Sequence, residues 1–124
     1  MTSSDPRTLV VKCTAGVDDP ERCAQAFTVA ATALAAGAEV SLWLTGEAAW
    51  LAVPGRAEAF DLPHSAPLVD LRDAIVAGGT LTVCSQCAAR RGIEPDQLVA
   101  GAVIRGSASF VDEVLATNAQ ALVY

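Results

Sequence analysis

The chain is predicted to be an α/β protein: a five-stranded, mostly parallel sheet with helices on both faces. Two observations carry that prediction. Five short apolar runs of strand type recur along the sequence, and between them apolar residues return every three or four positions, as on a helix with one buried side. A third observation is size. At 124 residues the chain is long enough to bury a proper core, and no repeat, linker or low-complexity stretch divides it. Residues 1–124 are therefore expected to form a single domain.

The elements follow in order. Leu9–Cys13 is the first strand. Asp18-Asp19-Pro20-Glu21 then offers a capping acid and a proline suited to the first helical position. The helix that follows places Cys23, Phe27, Ala30 and Leu34 on one stripe and ends at Gly37. Val40–Leu44 is the second strand, and Thr45-Gly46 leads into a short helical piece around Ala48 to Leu51. Residues 53–66 lack periodicity and carry Pro54, Gly55, Pro63 and His64, which makes a long loop of the kind used as a lid or interface segment. Pro67 opens a helix with Leu68, Leu71 and Ile75 on one face, closed by Gly78-Gly79. Thr80–Cys84 is the third strand. A short helix carrying Cys87, Arg90 and Arg91 follows, with Ser85 as its expected cap and Gly92 as its stop. Gly101–Ile104 is the fourth strand, Ser109 and Asp112 resemble a capping box, and Ala121–Tyr124 is the last strand.

Composition narrows the function. The chain is 52% hydrophobic but only 5% aromatic, and its mean hydropathy is +0.40. A chain this short and this apolar is expected to hide part of its surface in an oligomer. Fourteen acids against eight bases give a net charge of −6, and no stretch supplies the basic face that nucleic acid or anionic lipid requires. The run from Val29 to Ala38 is too short to span a bilayer. Met1–Pro6 has neither a basic region nor an apolar signal core, so a cytoplasmic protein is expected. In a reducing compartment, four cysteines read as thiols, metal ligands or redox groups rather than structural disulfides.

The site candidates lie where a parallel sheet gathers ligands, beyond the carboxyl ends of its strands. Cys84 and Cys87 sit at a strand-to-helix turn, where backbone N–H groups favour negative charge and hence the thiolate. Arg90 and Arg91 stand three and four residues beyond Cys87 and are expected to add positive charge. Cys13, Thr14, Thr45 and Gly46 fall on the same rim, so three of the four cysteines are candidates for one edge of the sheet. Cys13 also reads as inert packing, and Cys23 as core. His64, the only imidazole, is either a general base over that rim or an exposed loop side chain. No cofactor is expected. A metal site would need Cys84, Cys87, Cys13 and His64 to converge, so none is assigned.

The stretch Leu81-Thr-Val-Cys84-Ser-Gln-Cys87-Ala-Ala-Arg90-Arg91-Gly92-Ile93 resembles the cysteine-bearing turn of the DsrE/DsrF-like family, which includes sulfur-relay proteins. The opening strand, the Ala-rich helix, Leu44-Thr-Gly-Glu-Ala48 and Leu98-Val-Ala-Gly101 fit the same pattern over nearly the whole chain. The resemblance implies a flavodoxin-like, DsrE-like parallel fold, assembly into homotrimers or homohexamers, and transfer of sulfane sulfur as a cysteine persulfide to or from a partner protein. By position, Cys84 matches the cysteine that carries sulfur, and Cys87 a second cysteine found in less-characterised relatives. Dedicated carriers commonly rely on one cysteine, whereas this chain has a pair.

Three readings follow. The first is a sulfur carrier, closer to a relay protein than to a multiple-turnover sulfurtransferase. The second is a non-catalytic oligomeric binding module using the same rim. The third is a thiol–disulfide redox protein using the Cys84–Cys87 pair, although that pair follows the third strand rather than an early one.

Overall fold

The computed structural model describes residues 6–124; all but Pro6 of the Met1–Pro6 stretch, where no basic region or apolar signal core was expected, lies outside the described residues. Five strands, β1 (Thr8–Cys13), β2 (Glu39–Leu44), β3 (Thr80–Cys84), β4 (Ala102–Arg105) and β5 (Ala119–Val123), form one sheet in the order β4-β3-β2-β1-β5. All four pairings are parallel. The expected class is therefore found. The order, which the sequence left open, differs from the 2-1-3-4-5 arrangement of flavodoxin-like sheets.

Four α-helices connect the strands: α1 (Pro20–Ala35), α2 (Leu68–Gly78), α3 (Ser85–Arg91) and α4 (Ser107–Val114). Short 3-10 segments occupy Gly46–Ala52 and Pro95–Gln97. The strand order divides the helices between the faces. The chain steps outward from β1 to β4 in one direction, which puts α1, α2 and α3 on one face. It then returns across the sheet to β5, which puts α4 on the other.

The side-chain pattern agrees. Val11, Cys13, Val40, Leu42, Leu44, Leu81 and Val83 point into one core with Phe27, Ile75, Leu68 and Cys87. Lys12, Ser41 and Trp43, on the alternate positions of their strands, point toward α4.

The caps explain where helices start and stop. Asp19 Oδ1 accepts the backbone N–H of Arg22 at α1, with Pro20 in the first position. Gly92, at φ +66°, ends α3 in the left-handed conformation that only glycine adopts without strain. Two expected caps are corrected. Ser85 is the first residue of α3 rather than its cap, because β3 stays in register with β4 through Cys84 and the helix begins directly after it. Ser109 and Asp112 form no capping box, because α4 begins earlier, at Ser107, with Gly106 as its cap.

The α4 face is thinly covered. Trp43 is 1% exposed beneath α4, its ring meeting Phe110 edge-on at 5.4 Å. Glu113 Oε1 accepts from Ser41 Oγ and from Trp43 Nε1, which fastens the helix to β2. Outside these contacts, Val103 on β4, Val123 on β5 and Val111 on α4, with Leu115 just beyond it, remain open to solvent.

The long loop is fastened to α2. Arg72, only 4% exposed, bridges Glu58 and Asp73, and the Arg56 guanidinium lies 4.2 Å from the Trp50 ring centroid.

Candidate functional site

Cys84 ends β3 on the α4 side of the sheet and is partly exposed. Its extended backbone (φ −61°, ψ 128°) makes it the cap residue of α3, so the first N–H groups of the helix face its sulfur. Partial burial works against an anion there. The backbone N–H of Cys87, the Cys87 thiol, the backbone N–H of Gln86 and the charge of Lys12 outweigh it, and together they hold the Cys84 thiol below its ordinary range.

Lys12 is the charged neighbour of Cys84 that sequence reasoning missed. It lies on β1, points to the α4 side, and its Nζ sits 4.3 Å from the Phe110 ring centroid. The expected cations are placed differently. Arg91 Nε donates to Glu47 Oε2 at 2.8 Å and its NH1 donates to the Cys87 carbonyl, while Arg90 is exposed on α3. A single lysine amid the apolar run of β1 was the signal available: in a strand buried on both faces, a polar residue marks where the sheet opens.

Cys87 is 8% exposed and belongs to the core on the α1–α3 side. Its Sγ accepts the Gly46 backbone N–H at 3.2 Å. Gly46 is at φ +56°, and a Cβ there would lie 2.9 Å from the Thr14 carbonyl oxygen. The Thr14 hydroxyl donates to the Tyr124 carbonyl at 2.6 Å, and the Thr45 hydroxyl to the Cys13 carbonyl at 3.2 Å. Both threonines thus extend the strand ends instead of presenting hydroxyls to a ligand.

Cys13 does not join the other two cysteines, which corrects the expectation of three on one rim. It is fully buried, its alternation on β1 turns it away from the α4 side, and its Sγ donates to the Ala15 carbonyl at 3.1 Å. Its neighbour is Cys23. The Cys13 sulfur beside it and burial together hold the Cys23 thiol far above the ordinary range. His64 is also elsewhere. At φ +61° it lines a cleft of about 670 Å³ between α1 and the loop 62–66, on the side of the sheet opposite Cys84. All four cysteines are free, and no group of three His, Cys, Asp or Glu side chains among the described residues could hold a metal ion. No helix among the described residues is long and apolar enough to cross a membrane.

A partly exposed thiol with a lowered pKa, beside a second thiol and backbone donors, can attack a sulfur atom, hold a persulfide anion, or form a disulfide.

The DsrE/DsrF-like family matches residues 8–121. Among solved structures, the YchN protein of Escherichia coli superposes with a TM-score of 0.79 at 15% identity, covering 97% of this chain and 100% of that one. MTH1491 of Methanobacterium thermoautotrophicum, a protein of unknown function, gives 0.68 at 12% identity, with coverage of 97% and 100%. BT1422 of Bacteroides thetaiotaomicron, also of unknown function, gives 0.57 at 15% identity, with coverage of 95% of each chain. At these identities the likeness concerns the fold. No curated protein matches the chain.

Proposed function

We propose, from the premise that the chain belongs to the DsrE/DsrF-like family, that it is a sulfur-relay protein carrying sulfane sulfur on Cys84. The single observation that supports this most is the Cys84 environment: a partly exposed thiol at the start of α3, favoured as an anion by two backbone N–H groups and Lys12. A persulfide is an anion at neutral pH, and the groups that favour a thiolate favour it as well.

The step needs no outside oxidant. The Cys84 thiolate attacks the sulfane sulfur of a donor, the new S–S bond forms on Sγ, and the donor's leaving group departs with the electron pair of the bond it loses. Discharge has two routes. An acceptor thiolate takes the terminal sulfur and returns Cys84 as a thiolate. Alternatively, the Cys87 thiol attacks Cys84 Sγ, closing a disulfide while its proton leaves with the terminal sulfur as hydrosulfide, and an external thiol then reduces the disulfide to reset the pair. The second route is supported by the Cys87 thiol being one of the groups that favour charge on Cys84. Ser85, Arg90 and Arg91 are assigned to shaping α3 rather than to contact with sulfur.

The exposed side chains Val103, Val111, Leu115 and Val123 on the α4 side support assembly with further copies of the chain, as a homotrimer or homohexamer, or with a donor or acceptor protein. Incubation with a persulfide donor tests the carrier role. Intact mass should rise by one sulfur atom in the wild type and not in Cys84→Ser. Equal loading of both would end this reading.

A further inference from the structure

The cleft between α1 and the loop 62–66 has no part in sulfur transfer. At about 670 Å³ it lies within the size range of sites that hold small organic ligands.

Local sequence builds both walls. Glu21, Gln25 and Thr28 follow at steps of four and three residues, so they share one stripe of α1. The neighbouring stripe of Cys23, Phe27 and Ala30 enters the core, which fixes how the helix is turned. Ala24, only 5% exposed, also lines the cleft, and its small side chain leaves the space open. The loop wall is anchored as well. Ala57 is buried, Phe60 packs against the core, and Arg72 Nη1 donates to Glu58 at 3.2 Å. Pro63 and Pro67 restrict the backbone on either side of His64. His64 sits at φ +61°, the one non-glycine residue in the left-handed region among the described residues. Strain of this kind concentrates at ligand clamps, where the surrounding structure holds it in place.

The lining is chemically one-sided. Ala24, Val29 and Leu62 supply apolar surface, Glu21 supplies a carboxylate, and no lysine or arginine lines the cleft. Among the described residues the side chains of Glu21, Gln25, Thr28 and His64 have no ion-pair or hydrogen-bond partner. The nearest cation in the chain, Arg22, is held by Asp19 at 3.4 Å. Unpaired acceptors beside an apolar surface suit a ligand that donates hydrogen bonds from a positive charge and carries an apolar body.

We propose that this cleft is a second binding site, for a small organic cation of the primary-amine class. Glu21 takes the ammonium group, Gln25 Oε1 and the Thr28 hydroxyl serve as further acceptors, and Ala24, Val29 and Leu62 hold the apolar body. The site is independent of Cys84 and of the carrier role.

Three probes that share an indole ring separate charge from shape: tryptamine, a cation; tryptophol, which is neutral; and indole-3-acetate, an anion. Each is titrated into the whole chain and followed by calorimetry or ligand-observed NMR. Tryptamine should bind saturably at about millimolar concentration. It should bind about threefold to tenfold more tightly than tryptophol, with indole-3-acetate weaker still. Glu21→Gln should bring tryptamine to the level of tryptophol. Thr28→Phe fills the cleft from an exposed helix position and should weaken tryptamine and tryptophol alike. Cys84→Ser should bind as the parent does. Tryptamine bound no more tightly than tryptophol, or a preference that survives Glu21→Gln, overturns the proposal. Binding that ignores Thr28→Phe, or that is lost in Cys84→Ser, puts the probe elsewhere and also overturns it. So does the absence of saturable binding by all three probes, and none of these outcomes touches sulfur loading on Cys84.

Discussion

The backbone N–H of Gly46 donates to the Sγ of Cys87 at 3.2 Å. This bond ties the turn after β2 to the first turn of α3, and it separates the roles of the two cysteines. Cys84 is partly exposed at the strand end, whereas Cys87 is buried among core side chains. The turn depends on glycine, both for its φ of +56° and for the 2.9 Å that a Cβ would leave to the Thr14 carbonyl oxygen. Gly46→Ala should destabilise the protein by about 1–3 kcal/mol, read as a lower urea midpoint at unchanged slope. A midpoint equal to that of the wild type would show that the turn relaxes freely.

Glu113 is the polar anchor of α4. Its carboxylate accepts from Ser41 and Trp43, both nearly inaccessible to water. Glu113→Ala leaves those two donors without a partner and should cost about 2–4 kcal/mol, whereas Glu113→Gln keeps an acceptor and should cost less. The Trp43 near-ultraviolet circular dichroism should weaken in the alanine variant. Equal stability of all three proteins would contradict this view of how α4 is held.

The cysteines should separate by accessibility. Cys13 and Cys23 are 0% exposed, so a thiol reagent should leave both unmodified in the native protein. Cys84 should react first and Cys87 more slowly. All four should react in denaturant, and peptide mapping checks the order. Rapid native labelling of Cys13 or Cys23 would mean that α1 opens far more readily than its packing implies.

Much of this site was legible before the structure, and the reasons are local. Cys84 could be placed at a strand end because Thr80–Val83 is a compact apolar run and Gly92 stops the helix that follows. Cys23 could be assigned to the core because its helical stripe includes Phe27 and Ala30. Thr45-Gly46 was placed on the rim, but the Gly46 N–H to Cys87 bond depends on two loops meeting across the sheet. Lys12 was missed because its significance depends on strand order: it lies two strands away from Cys84, and only the order β3-β2-β1, with Phe110 descending from α4, makes it a neighbour in the electrostatic sense. Cys13 could have been excluded by alternation alone. In a strand where Lys12 faces one side, Cys13 faces the other.

Lys12 also sets a pH dependence. The Cys84 thiol is held below its ordinary range in part by this charge, so its reactivity should reach half its plateau at a lower pH than that of a free thiol. Lys12→Met removes the charge, which raises the thiol pKa and moves the alkylation profile toward higher pH. At neutral pH the variant should therefore react more slowly, while both proteins should approach similar rates in alkali, where each is fully ionised. A profile that does not move would assign the lowered pKa to the backbone N–H groups and the Cys87 thiol without Lys12.

The central claim is that Cys84 is the atom on which sulfur travels, and site-resolved mass spectrometry tests it most directly. After loading with a persulfide donor and trapping with an alkylating agent, the peptide spanning Cys84 and Cys87 is fragmented to locate the added sulfur. The account predicts that it lies on Cys84 in the wild type, persists on Cys84 in Cys87→Ser, and is absent from Cys84→Ser. Sulfur found on Cys87 in the Cys84→Ser variant, at the level of the wild type, would contradict it.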